Sequence, residues 1–267
     1  MRVAGPYPDI AVAIRGQASL AAPWRAIDGL RDAPAPAGVA PLPSRFLRHA
    51  DEQTVVGVQA VLAAVGAARL TPDELAGASV VAAPCRAGRV VAARTLAGWH
   101  ARGAVAVSPH VVPHCSLHAM ASAVSVVLGC HGPHLGVGGG TGAVAEALIL
   151  LPWLTGRAAG GTVLLVTTGW DDEPRLGADG TVVSEPVCRA VAAVVVRAAV
   201  GGFAITLSTG RAAGSAPADD ACCALRRLAE LVSGVVPEGL PGEWSFAGHR
   251  GRVVRVTRSV SPLREAA

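Results

Sequence analysis

Apolar positions along this chain fall into two rhythms. Continuous apolar runs at residues 79–83, 162–167 and 191–196 have the length and β-branched content of strands covered on both faces. Elsewhere the spacing is helical: Phe46, Val55, Val58, Val61, Leu62 and Val65 predict a buried helix over 45–68, with Ser44 as its cap. Thr71-Pro72-Asp73-Glu74 is a second N-cap signature, with Pro at the first helical position and acids in the first turn. Helices are also predicted over 23–30, 90–102, 113–128, 142–154 and 219–231. Pro113 suits the opening turn of the third of these and Gly129 its close. Short strands are expected at 10–14, 134–137, 204–207, 244–246 and 253–256, and the Pro- and Ala-rich segment 32–43 reads as a loop.

Strands and helices alternate through the middle of the chain, which predicts an α/β layered domain with a mixed, mostly parallel sheet. The whole of 1–267 reads as one domain: an irregular lead-in over 1–44, a core over about 45–207, and a C-terminal helix with edge strands over 208–267. At 267 residues, 51% hydrophobic and 16% charged, the chain can bury a core without disulfides or metals.

Composition narrows the chemistry. All 23 basic residues are Arg, so no Schiff base, covalently anchored pyridoxal phosphate or phosphate-binding P-loop Lys is possible. The net charge of +4 is spread along the chain with no stripe of basic and aromatic residues, which argues against nucleic acid and leaves an acidic protein partner compatible. Six Cys, at 85, 115, 130, 188, 222 and 223, lack CxxC spacing. Together with the absence of a leader-like N-terminus, they point to reduced thiols in the cytoplasm. The longest apolar stretch, 190–207, is interrupted by Arg197 and Gly201-Gly202 and is not a membrane span.

Three groups of residues carry candidate chemistry. His110, His114 and His118 fall four apart, near Cys115, Cys130, His131 and His134, a spacing that on one helix face can grip zinc. Pro113 as helix start would leave only His114 and His118 aligned, so hydrogen-bonded or pocket-lining histidines are the competing reading. The glycine run from Gly138 to Gly140 fails the dinucleotide fingerprint, because Gly136-x-Gly138 is followed by Thr141 at the third-glycine position and Asp171 lies roughly 30 residues on. Thr141 itself is either a helix cap or a nucleophile lacking an identified base. Asp171, Asp172 and Glu173 read as a solvated loop or a cation site. Cys222-Cys223 reads as helix packing, and no Gly-x-Ser-x-Gly elbow is present.

One ordered succession stands out: the Ser108-Pro109 turn, a small-residue helix at 116–123, Gly132-Pro133, a strand, the glycine turn, an Ala-rich helix and the strand Val163-Leu164-Leu165-Val166. This succession resembles the N-terminal half of β-ketoacyl synthases, of the thiolase superfamily. Arg45 to Asp51 also looks like that family's helix start. The resemblance is closer to the short ketosynthase-like N-terminal-domain proteins of type II polyketide systems, including those making aryl polyenes, where an acidic-Pro turn is similar to Trp170 to Pro174. Such proteins are similar to chain-length factors.

The resemblance implies a half-thiolase layered fold. It also implies an interface strand formed by His134, Leu135, Gly136, Val137, Gly138 and Gly139, and acyl-pocket lining by His114, Ser116 and His118. At the nucleophile turn the family's Cys is replaced by Gly140 and Thr141, and Gly248-His249 matches a catalytic-His context only as a dipeptide. Without a thiolate and paired imidazoles, condensation has no nucleophile and no decarboxylation catalyst. The implied role is a non-catalytic partner of a catalytic ketosynthase in a heterodimer. Acyl carrier protein would be an indirect partner, and no cofactor or metal is implied. Two alternatives remain open: an acyltransferase or metal-dependent hydrolase using Thr141 or His110, His114 and His118, and a stand-alone acyl-thioester binding module.

Overall fold

The computed structural model describes residues 11–138, 140–157, 159–198, 202–208, 221–234, 243–248 and 253–259. In chain order the elements are β1 (Ala11–Pro23), α1 (Trp24–Leu30), α2 (Glu52–Ala68), α3 (Pro72–Ala76), β2 (Ser79–Pro84), α4 (Arg89–Arg102), α5 (Val111–Cys115), α6 (Ala119–Leu128) and β3 (His134–Gly136). They continue with α7 (Ala143–Arg157), β4 (Thr162–Trp170), β5 (Val187–Arg197), β6 (Gly202–Ser208), α8 (Ala221–Ser233), β7 (Glu243–Ala247) and β8 (Val253–Ser259).

The strands form one sheet in the order β3-β2-β4-β5-β1-β6-β8-β7. Parallel pairing is confined to β3-β2-β4, where helical segments cross between strands. From β4 the chain reaches β5 through 171–186 without a crossover helix and so returns antiparallel, as do the remaining pairings. Within β3-β2-β4-β5-β1 only β5 opposes the common direction, which is the mixed, mostly parallel sheet expected.

Alternation along the strands builds two cores on opposite faces of the sheet. Val80, Ala82, Leu164, Val166, Ala192 and Val194 face α2 and α6, while Val81, Leu165, Val191, Ala193 and Val195 face α7 and α8. The result is a layered α/β/α arrangement. The α2 helix is buried nearly all round, because α1, α6 and the loop before it cover the side turned away from the sheet. Gly16 sits at a bulge in β1, where an added Cβ would lie 2.4 Å from the Ala64 carbonyl oxygen, so the small residue lets strand and helix meet.

Two predicted helices have different bounds. The helix expected over 45–68 starts at Glu52, capped by Asp51, whose carboxylate accepts from the Thr54 amide at 2.8 Å. Arg45, with φ of 63°, turns the chain before it and makes Ser44 no cap. The helix expected over 113–128 is two helices, because Ser116 is extended and interrupts it between α5 and α6. Gly129 closes α6 in the left-handed conformation and Thr71 forms a full capping box with Glu74, both as expected.

Candidate functional site

The three-residue β3 lies at the edge of the sheet, paired with β2 from Val80↔His134 to Ala82↔Gly136. Its pairing is extended by the Val137 amide, which donates to the Ala82 carbonyl at 2.7 Å. Among the described residues its other edge has no strand partner. The interruption between α5 and α6 is tied to this edge. A Cβ on Gly136 would sit 2.2 Å from the Leu117 carbonyl oxygen, and one on Gly138 would sit 2.4 Å from a Leu117 methyl. Glycine at both positions therefore lets Leu117 lie directly over the strand and the turn that follows it.

That turn carries Gly140, at φ of 64°, with Thr141 and Gly142 in a short 3-10 turn leading into α7; Gly139 lies outside the described residues, as does His249. Thr141 is half-buried, and among the described residues no imidazole or carboxylate is hydrogen-bonded to it. The thiols nearest in sequence are held as thiols: burial pushes both Cys115 and Cys130 up to about 11, which makes them poor nucleophiles.

The histidines separate into two groups. His49 stacks on His110 with ring centroids 4.8 Å apart, and His114 lies 6.1 Å from His49 and 5.8 Å from His110. His118 joins His134 of β3 instead, at 4.9 Å. The alternative in which a spacing of four unites His110, His114 and His118 does not survive the extended Ser116, and no group of three or more His, Cys, Asp or Glu among the described residues is arranged to hold a metal ion. The His114 pKa is lowered, first by burial and then by His110 and His49, which favours the neutral ring. Ser116 donates to the Pro113 carbonyl, and both it and His118 are exposed.

The stretch from α4 to Leu117 is unusually apolar for a surface. Leu96 and Trp99 of α4, Val105 and Val107 after it, Val112 of α5 and Leu117 are all exposed, Val105 at 91% and Val112 at 76%. They stand on consecutive elements, and α4 packs against both its following turn and α5. Exposed apolar groups on neighbouring elements are a feature of surfaces that take part in association.

A buried polar layer at the carboxyl ends of β2 and β4 was not anticipated from sequence. The Thr168 hydroxyl donates to the Gln53 side-chain oxygen at 2.8 Å, and the Gln53 amide donates to the Cys85 carbonyl at 2.9 Å. Arg94 pairs with Glu52 at 3.2 Å. Burial raises the Asp51 carboxyl to about 6, against the opposing hydrogen bond from Thr54. The run Asp51-Glu52-Gln53-Thr54 at the start of an apolar helix was the available signal. The acidic turn after β4 is committed to arginines: Asp171 pairs with Arg189 at 2.6 Å, and Glu173 pairs with Arg86 and Arg89. These contacts hold the loop after β4 against β5 and the start of α4.

No family model matches the chain, and no curated protein matches it in sequence. Solved structures do match in fold. A chain of the ketosynthase ApeO in complex with its chain length factor ApeC from Xenorhabdus doucetiae superposes with a TM-score of 0.59 and 14% identity, over 93% of this chain and 100% of that one. A chain from AntDE:AntF, a type II PKS acyl-carrier protein in complex with its ketosynthase bound to the hexaketide, gives 0.52 and 15%, over 84% and 73%. At these identities the likeness is one of fold: the chain has the thiolase-like layered architecture of ketosynthase and chain length factor structures. No helix among the described residues is long and apolar enough to cross a membrane.

Proposed function

We propose that this chain is a non-catalytic, chain-length-factor-like subunit that pairs with a catalytic ketosynthase in type II polyketide, polyene or fatty-acid-like biosynthesis. The observation that carries the reading is the edge of β3, which has no strand partner among the described residues, with exposed Leu117 directly over it and further exposed apolar residues at Val105, Val107 and Val112. A strand with one unpaired edge and apolar surroundings is suited to receive another chain's strand. Residues 134–139 would form that seam. His114, Ser116 and His118, exposed or half-buried in the isolated chain, would then line an acyl channel closed by the partner. Gly140 and Thr141 supply no thiolate at the nucleophile turn, so the chain would shape the channel and the partner would perform the condensation. Acyl carrier protein would meet the complex chiefly through the catalytic subunit.

Co-expression with a ketosynthase from the same biosynthetic system, followed by size-exclusion chromatography and elemental analysis, tests this. The expected result is a metal-free complex of one copy of each chain. A monomer that ignores the ketosynthase, or one carrying stoichiometric zinc, overturns the reading.

A further inference from the structure

At the other end of α6 from the His118–His134 pair lies a cavity of about 570 Å³, within the size range of small-molecule sites. It opens between the loop 37–40, the last turns of α2, the α3 segment and the last residues of α6. Most of the residues that line it are apolar, among them Val39, Val65, Leu70, Leu75, Val127 and Leu128. Ten residues of α6, roughly 15 Å of helix, separate it from the β3 edge, so its occupancy does not depend on pairing there.

One charged residue, Arg69, stands on this wall. It caps α2 in the left-handed conformation with φ of 51°, and its carbonyl accepts from Arg15. Arg15 is itself committed to Glu74, whereas the Arg69 guanidinium has no carboxylate partner among the described residues. A permanently charged side chain among mainly apolar lining residues suits a ligand of matching polarity: an anion at one end and hydrocarbon at the other.

We propose that this cavity binds a single alkyl chain bearing a terminal carboxylate, a medium-chain fatty acid in chemical class, with its head on Arg69 and its tail among Val65, Leu75 and Val127. The guanidinium discriminates the head group and the apolar walls take the chain. An alkyl alcohol fills the same walls without the ionic contact, and an alkyl ammonium meets repulsion.

Calorimetry on the delipidated full chain, or on its complex with a ketosynthase, would use decanoate, decanol and decyltrimethylammonium below their micellar concentrations. Decanoate is expected to bind one site roughly tenfold more tightly than decanol, with the ammonium weakest. Arg69→Gln should reduce decanoate to the affinity of decanol, and Val127→Trp, which fills the cavity, should abolish both. Equal affinities for the three head groups, no decanoate binding, or an Arg69→Gln variant that binds as the parent does would overturn the proposal. The head-group series on the parent chain decides the matter even where a variant fails to fold.

Discussion

The two flanks of α6 treat the same kind of residue in opposite ways. On the α2 side, Val55, Val56, Val58 and Leu62 are fully buried, and the polar groups at the start of the helix find partners within the chain. On the side of α4, α5 and β3, Val105, Val112 and Leu117 face solvent, and among the described residues the outer edge of β3 receives no strand. Hydrophobicity alone does not separate the two regions. What separates them is closure: the first region is completed by its own loop and helices, and the second presents a surface in want of a cover. If the contrast is correct, substitutions in the first region cost stability, and substitutions in the second cost association.

The largest effect is expected in the closed region. Leu62, at 0% exposure in the middle of α2, is packed on every side, so Leu62→Ala should cost about 2–5 kcal/mol by urea denaturation, from lost burial and the cavity left behind. A cost below about 1 kcal/mol would mean that α2 is loosely packed and that the contrast is not one of closure.

A smaller effect, with a sign that depends on pH, is expected at Asp51. Its carboxyl rises from an ordinary 3.8 to about 6, so the folded chain holds this proton more tightly than the unfolded chain does. Stability from this group is therefore full below about pH 4 and is lost as pH rises through about 6. Asp51→Asn keeps a good cap and removes the buried charge, so at pH 7 it should stabilise by about 1–3 kcal/mol and flatten the pH dependence between 4 and 6. Denaturation midpoints measured across that interval check both parts. A variant less stable than the parent at pH 7 would show that the ionised carboxylate is well accommodated.

Much of the fold was legible because local signals and tertiary context agreed. The runs at β2, β4 and β5 are buried on both faces, which is why they read as continuous apolar strands. The Thr71 capping box and the glycine after α6 are purely local devices and appeared where expected. The failures are places where distant contacts decide. Ser44 lost to Asp51 because a left-handed Arg45 breaks the helix between them. β1 extends well beyond the predicted 10–14, held by the distant antiparallel strand β5 from Val12↔Arg197 to Pro23↔Val187, and Gly16 hides the alternation at a bulge. The histidine arithmetic assumed one helix through Ser116, where the close approach of Leu117 to β3 requires a break. His49 joins His110 through folding alone, and no spacing rule could bring it there. The glycine turn was plain in sequence, whereas the exposed apolar stretch from α4 to Leu117 was not, since Val112 and Val55 look alike until one is covered.

The smallest effect on the isolated chain is expected at Val112, and there the contrast is sharpest. At 76% exposure, Val112→Asp removes little buried surface and should change stability by no more than about 0.5 kcal/mol. The same charge placed beneath a partner would be desolvated without a counter-ion, so pairing with a ketosynthase should weaken at least roughly tenfold. Paired measurements of unfolding and association on this one variant separate the two costs. Unchanged association would place the partner elsewhere and leave the flank's exposure without a role. A large loss of stability with unchanged association would mean that the flank is covered by the chain itself. Intact folding with lost association is the outcome that the open edge of β3 and its apolar surroundings lead us to expect.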